Sequence, residues 1–470
     1  MDKLKIIMQC FGQPVVLFWI IAAMSLTSCG EEKPVIPMPE EPILVSSIPA
    51  NGDSNIIVNG SLTVTLTYDQ NVFCPSAGHS SITVTSGGTV GSVAASGHNV
   101  TLVLSGLHKS TTYTLTIPAG VVVGPAKVPA PQVAITFRTV DSQDIRTSEL
   151  VTSNPSPEAV NLFNYFKQQY GNHIISGAMA RVAWNTDEAE MVYALTGKYP
   201  AMNTFDYIHL WASPANWIDY GNISAAANWW NSGGIVSACW HWNVPKSSGA
   251  AAGDVTFRPE ETTFRPANAV VEGTWENTVV KADFAKIAGY LKLLSDAHIP
   301  VIWRPMHEAA GNIFEYPNGT AWFWWGRDGG AAYVALWRYM FDYFQQQGLN
   351  NLIWVWTTQT KDASFYPGDN YVDIVGRDIY NMISAASSFE QFSTIINAYP
   401  NKLAALSECG TIASISQQWD AGAKWLFFMP WYDYDATSLI GHEHADGGWW
   451  IDAVANPAVI TRDEVVDLAH

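Results

Sequence analysis

Cysteine is scarce: five in 470 residues (Cys10, Cys29, Cys74, Cys239, Cys409), odd in number and widely scattered. No two stand in a CxxC pair or at a metal-binding spacing, so neither a disulfide framework nor a zinc ribbon is implied. Positive charge is also in short supply, 24 Lys and Arg against 42 Asp and Glu, a net charge of −18. A chain so acidic repels nucleic acid and anionic membrane surfaces, and a neutral substrate is the comfortable partner. No Gly-rich phosphate loop follows any apolar run, which disfavours an open nucleotide-binding sheet.

What is abundant is aromatic surface. Aromatic residues make up 13% of the chain, with 21 Trp, and hydrophobic residues make up 48%. A large core is therefore within reach and wholesale disorder is excluded. A Trp-rich core accounts for part of the excess. The remainder suggests a cleft lined with flat rings, on which the C–H faces of sugars stack while their hydroxyls bond at the edges.

The N-terminus addresses the compartment. Lys3 and Lys5 precede the apolar run "PVVLFWIIAAM", then "LTSCG". The run is too short to span a membrane comfortably, and small residues precede the cysteine. We read residues 1–28 as a lipoprotein signal peptide and Cys29 as the lipidated first residue of the mature chain. The acidic "EEK" that follows resembles the export tag of surface lipoproteins in Bacteroides-like bacteria. The expected location is the outer membrane, at the cell surface or facing the periplasm, held by a lipid anchor. Residues 29–42, "EEKPVIPMPEEP" in the main, form a stiff Pro/Glu-rich linker.

From 43 to 140 the texture is all-β. "SLTVTLTY", "NVTLVLSG", "TTYTLTIP" and "VAITFRTV" alternate Thr or Ser with Val, Leu and Ile between Gly and Asn turns. About seven short strands in such a span predict a β-sandwich. The segment resembles a bacterial Ig-like domain. It carries no cluster of ionisable residues, and a spacer or support is expected rather than a carbohydrate-binding module.

From 141 to 470 eight apolar runs recur, mostly with amphipathic stretches between them. They are "HIISGAM", "YPAMNTFDY", "GGIVSACWHW", "PVIWRPMHE", "NLIWVWTT", "VDIVGRDIY", "KLAALSECG" and "KWLFFMPWY". Near-continuous apolar strands suit a sheet buried on both faces. Eight such units predict a (β/α)₈ TIM barrel, making the chain α/β with a small all-β domain in front. Helices are expected over "TVVKADFAKIAGYLKLLSDAH", "GAAYVALWRYMFDYFQQQ" and "SSFEQFSTIINAY".

In such a barrel the chemistry sits at the C-terminal strand ends. Those ends deliver Trp240, His241, Trp242 and Asn243 from strand 3, and Arg304, His307 and Glu308 from strand 4. Strand 6 contributes Asp378 and Tyr380, strand 7 Glu408, and strand 8 Trp431 and Tyr432. Two carboxyl groups across a cleft hydrolyse a glycosidic bond without a cofactor, one protonating the departing oxygen and the other attacking the anomeric carbon. Tyr380 is placed to donate to Glu408 and orient it. The competing structural reading pairs Glu308 with Arg304 at the rim. It leaves the matching strand-7 glutamate unexplained.

The order "RPMHE", "WFWWG", "GRDIY", "LSECG", "FFMPWY" resembles glycoside hydrolase family 26, whose best-known members are β-mannanases, over roughly residues 145–470. The resemblance implies a retaining (β/α)₈ enzyme with Glu308 as acid/base and Glu408 as nucleophile. It further implies sugar contacts from His241, His307, Trp322, Asp378, Tyr380 and Trp431, with no metal and no cofactor. The implied activity is that of an endo-β-1,4-mannanase on mannan, glucomannan or galactomannan. Alternatives are a mannobiose-releasing exo enzyme, a β-glucanase or β-xylanase of the same family, and a non-catalytic surface glycan-binding lipoprotein. The expected partners are β-mannan or manno-oligosaccharides, the outer membrane, and other glycan-utilisation surface proteins. One departure stands out. The family keeps its Trp motif a few residues after the acid/base, whereas here "AAGNIFEYPNG" intervenes. The pattern "GHEHADGG" (His442, His444, Asp446) has a metal-like spacing, but a loop along the substrate groove is expected there. Glu315 and Asp328 are expected to be rim charges, and Cys409 a packed thiol pointing away from its neighbour Glu408.

Overall fold

Alternating Thr and aliphatic residues can bury only one side of a strand, and the N-terminal domain is built on that rule. Ser61–Tyr68 buries Leu62, Val64, Leu66 and Tyr68, and Asn99–Ser105 answers with Val100, Leu102 and Leu104. The computed structural model describes residues 40–468, apart from 55, 59–60 and 141–148. The predicted signal peptide, Cys29, the linker up to residue 39 and the predicted domain join at 140/141 lie outside the described residues. Two four-stranded sheets form the sandwich. One runs in the order Leu44–Ile48, Ser61–Tyr68, Asn99–Ser105, Thr89–Ser96; the other runs Ile56–Ile57, Val133–Val140, Thr112–Ile117, Thr83–Val84. All pairings are antiparallel except Ile56–Ile57 against Val133–Val140. A single apolar core, including Tyr113, Leu115, Ile135 and Phe137, fills the space between them.

The second domain is the eight-stranded parallel barrel that the apolar runs predict. Its strands are β1 (Ile174–Met179), β2 (Met202–Asp206), β3 (Ile235–Trp240), β4 (Val301–Pro305), β5 (Leu352–Thr358), β6 (Ile374–Tyr380), β7 (Leu403–Gly410) and β8 (Phe427–Pro430). Each pairs in parallel with the next, and β1 closes the ring by pairing with both β8 and β2. Every residue of β1, β3, β5 and β7 is buried, as a sheet covered on both faces requires. Helices fall where amphipathic periodicity places them: Trp275–Asp296, capped by Thr274, then Gly330–Gln346 and Ala385–Ala398.

Two local irregularities shape the mouth. Between β6 and β7 the register slips, Arg377 facing Leu406 but Asp378 facing Glu408, so that Ser407 is an extra residue on β7. Such a bulge re-aims the side chains beyond it. After β4 the strand stops at Pro305, and Met306 and Glu308 both adopt left-handed backbone, with φ of 45° and 50°. Left-handed conformation is costly for residues with a Cβ and concentrates at functional sites. Glu308 is thus presented by a strained turn beyond the strand, one step further out than the sequence pattern suggests.

Candidate active site

A buried cation sits at the barrel mouth: Arg304, inside β4. Its side chain is 3% exposed, and its guanidinium donates to Asp378 Oδ2 at 2.8 Å and to Glu408 Oε2 at 2.6 Å. Burial works against the guanidinium's charge, but the two carboxylates outweigh it and hold the group protonated. Arg304 therefore does not pair with Glu308 as the structural reading of the sequence has it. It is spent on β6 and β7.

Asp378 is also placed differently from the expectation. It was expected to contact sugar, but its carboxyl is fully enclosed, accepting from Arg304 and, at 2.6 Å, from Ser407 Oγ. A side chain with no exposed surface cannot meet substrate, so Asp378 acts as the anchor of Arg304. The bulge at Ser407 is what puts that hydroxyl beside it. Burial pushes the Asp378 carboxyl up to about 7, Arg304 pulling against the shift and Glu408 adding to it.

Glu408 has both oxygens occupied. Arg304 holds Oε2, and the Tyr380 hydroxyl donates to Oε1 at 2.5 Å. Tyr380 itself is half-buried, and burial together with the Glu408 charge keeps its phenol protonated as a donor. Glu308 differs sharply. No protein group donates to its carboxyl among the described residues. Burial, then the charges of Asp378 and Glu408, push it well above the ordinary carboxylate range. One carboxyl clamped by cationic and phenolic donors thus faces one that keeps its proton, within a shared electrostatic neighbourhood.

Histidines and rings complete the floor. His241, just past β3, hydrogen-bonds through Nδ1 to Asp206 Oδ2 at 2.6 Å, and its backbone N–H reaches Asp206 Oδ1 at 3.0 Å. Burial alone would raise Asp206, but His241's charge and hydrogen bonds outweigh it and hold the carboxyl low. An ionised carboxylate only accepts, so Nδ1 carries a proton towards Asp206 and Nε2 is the ring nitrogen that Asp206 leaves free. The His307 ring lies edge-on to His241, with centroids 4.4 Å apart, and against Phe323 at 4.9 Å. At 1% exposure it offers almost no surface to a sugar, and burial followed by the Arg304 charge depresses its pKa, leaving it neutral. Trp431 stands 5.5 Å from His241 and is partly exposed. Trp322 is 41% exposed at the edge of a groove of about 930 Å³ that Phe257 and Phe323 also line.

His442 is buried, with Nε2 2.9 Å from Glu188 and Nδ1 accepting from the backbone of His444 and Ala445. Asp446 caps the helix Gly447–Ala455. The spacing thus serves to fold the loop after β8, and His444 packs edge-on to Tyr380. Asp328 is an ion-pair partner of Arg265, and Glu315 bonds Thr360 at 2.5 Å on the exposed rim. Cys409 is buried, and burial pushes its thiol well above the usual value. Asp206, Cys239 and His241 present ligand atoms within 4.8 Å of one another. Their short Asp–His bond and the raised, burial-stabilised thiol of Cys239 make them a hydrogen-bonded positioning cluster. Sequence reasoning passed over Asp206 although "TFDY" ends β2 on a carboxylate, the same strand-tip signal that singled out Glu408.

With this geometry in view, residues 151–449 match glycosyl hydrolase family 26, and residues 39–139 match a bacterial Ig-like domain. The chain belongs to glycosyl hydrolase family 26. Among solved structures it is similar to the GH26 domain of an endo-β-mannanase/endo-β-glucanase from Prevotella bryantii. That match has 41% identity and a TM-score of 0.63, covering 67% of this chain and 99% of that one. It is also similar to a β-mannanase from a symbiotic protist of the termite Reticulitermes speratus, complexed with gluco-manno-oligosaccharide. There the identity is 32% and the TM-score 0.58, covering 68% and 98%. Mannan endo-1,4-β-mannosidase B of Piromyces sp is 34% identical over 60% of this chain and 48% of its own length. The chain thus spans about half the length of that relative. The Ig-like match coincides with the sandwich and the family 26 match with the barrel. The strand Val459–Ile460, which pairs with β1, lies beyond the matched region.

Proposed function

We propose that the protein is a retaining glycoside hydrolase cleaving β-1,4-mannosidic bonds within mannan, glucomannan or galactomannan. The reading rests on one observation: two neighbouring carboxyl groups with opposite settings, Glu308 holding its proton and Glu408 clamped by Arg304 and Tyr380. Family membership supports the retaining course, and the names of the relatives support mannan as substrate.

The geometry suits double displacement. Glu308 gives its proton to the glycosidic oxygen as that C–O bond breaks. Glu408 attacks the anomeric carbon and forms a glycosyl ester. Tyr380 and Arg304 orient the attacking carboxylate, and Arg304 receives it again as a leaving group. Glu308, now ionised, takes a proton from water, whose oxygen displaces Glu408 and completes hydrolysis. His241, fixed through Nδ1 by Asp206, presents Nε2 to a sugar hydroxyl, and Trp431 supplies an apolar face beside it.

The test compares wild type with Glu308→Ala and Glu408→Ala on galactomannan and on a dinitrophenyl β-mannobioside. Glu408→Ala is expected to lose on the order of 10³-fold in kcat on both substrates. Glu308→Ala should fail on mannan yet keep its glycosylation step on the aryl substrate, whose leaving group needs no proton. In wild type, activity on mannan falls as pH rises through the raised Glu308 pKa, because the competent form is protonated. That alkaline limb should vanish from kcat/KM of Glu308→Ala on the aryl substrate. Equal activity in both variants would sink the assignment.

We further propose that Cys29 carries a lipid anchoring the enzyme to the outer membrane, a reading supported by the apolar leader and "LTSCG" alone. Labelled palmitate should enter wild type and not Cys29→Ala. A leader cleaved elsewhere, with no label taken up, would refute it.

A further inference from the structure

The insertion "AAGNIFEYPNG" between Glu308 and the Trp motif is built into the fold. Asn312 N–H reaches Thr320 O at 3.2 Å, and Thr320 N–H reaches Asn312 Oδ1 at 2.8 Å, so its two ends are laced together. Glycines permit the closure. A Cβ on Gly311, where φ is +53°, would lie 2.4 Å from Thr320 O, and one on Gly319 would lie 1.9 Å from Asn312 O. The tip is tied to the loop after β5 by the Glu315–Thr360 bond and by Phe314 against Phe365. A segment cinched at its base and tethered at its tip forms a wall.

That wall bounds the groove of about 930 Å³, with Ile313 on its side and the stretch Phe257–Glu260 opposite. The volume is at the upper end of the ~300–1,000 Å³ typical of small-molecule sites, room for more than one hexose. The groove shares two rings with the reaction centre. Phe323 lines it while packing on His307, the neighbour of the acid/base, and Phe257 lines it while packing on His241. Its lining combines the apolar rings of Phe257, Trp322 and Phe323 with the charged groups of Arg258, Glu260 and Arg327, the last spent on the carbonyls of Thr262 and Phe264. Exposed on one bank are Arg258 and Glu260, whose side chains have no hydrogen-bond or ion-pair partner among the described residues. A guanidinium and a carboxylate on the same bank offer both donors and acceptors to sugar hydroxyls.

We propose that this groove holds the leaving-group half of the mannan chain, and that Ile313 on the inserted wall and Arg258 and Glu260 opposite it set the length of leaving group that the enzyme accepts. The inference rests on the hydrolase reading above and extends it to residues on the inserted segment and the facing bank. Trp322 contacts the nearest leaving-group sugar, and the three named residues grip those beyond it.

The experiment maps bond choice on mannopentaose labelled at its reducing end with ¹⁸O, alongside kcat/KM for the dinitrophenyl β-mannobioside, which carries no sugar on that side. Wild type is expected to leave two or more sugars on the reducing-end product. In Arg258→Ala and Ile313→Ser, cleavage should move toward the reducing end, with kcat/KM on mannopentaose down about tenfold and the aryl substrate unchanged. An unmoved pattern in both variants overturns the proposal, as does an equal loss on both substrates. Wild type inert toward both substrates would instead fail the hydrolase reading itself, a result distinct from an active enzyme whose bond choice ignores the groove.

Discussion

Arg304 is the cation on which two buried carboxyl groups depend. Asp378 and Glu408 face each other across the β6–β7 pairing, and among the described residues the guanidinium fork alone bonds both. Removing one partner of a buried ionic group leaves the others unpaired, at a cost of about 3–5 kcal/mol. Arg304→Ala is therefore expected to lose about that much stability in denaturant unfolding, together with most of its kcat. Arg304→Lys should rescue little, since one ammonium cannot reproduce two directed bonds in the geometry of a fork. A Lys variant with the wild-type unfolding midpoint and turnover would show that charge alone suffices. His307 makes the complementary point: its ring is neutral and enclosed, so its work is to seat His241 and Phe323.

At the scale of elements, the turn carrying Glu308 and the Trp motif support each other. Trp325 Nε1 donates to His307 O at 2.9 Å, and Tyr333 donates to Met306 O at 3.0 Å, so the strained residues on either side of His307 are held from outside. Gly326 closes this contact: a Cβ there would lie 1.7 Å from Ala309 O, the carbonyl next to the acid/base. Gly326→Ala must push the Glu308 turn or the Trp325 turn away. We expect kcat on mannan to fall at least about tenfold with circular dichroism unchanged, since small misplacements of catalytic groups are costly. Wild-type kcat would show that the turn has slack.

The same elements show what sequence patterning can and cannot reveal. Eight buried strands are legible because a sheet covered on both faces demands uninterrupted apolar runs, and both glutamates are legible because they break those runs at the tips. Alternation alone does not reveal a bulge. Without the extra residue at Ser407, neither the enclosure of Asp378 nor its bond to Ser407 follows from the spacing "GRDIY". Asp206 was missed for a different reason: its partner, His241, lies 35 residues away and meets it only because β2 and β3 are neighbours in the barrel.

On the scale of the whole molecule, the two domains have separate apolar cores with no residue in common. Every residue assigned here to the reaction lies between Asp206 and Trp431, within the barrel. The sandwich adds neither a catalytic carboxyl nor an aromatic ring to the cleft. The sandwich touches the barrel where Asp53 and Ile56 meet Asn397 and Pro400, residues that take no part in the reaction. A chain lacking residues 1–148 is therefore expected to fold and to keep its kcat/KM on mannohexaose within about twofold, as changes at sites that share no partners do. Its retention on insoluble mannan should match that of the full chain if the sandwich is a spacer. A loss confined to the insoluble polymer would make the sandwich a binding module. A loss on the soluble hexasaccharide would mean that the barrel depends on its neighbour for the shape of the cleft, and the separation of the two cores would no longer describe how the enzyme works.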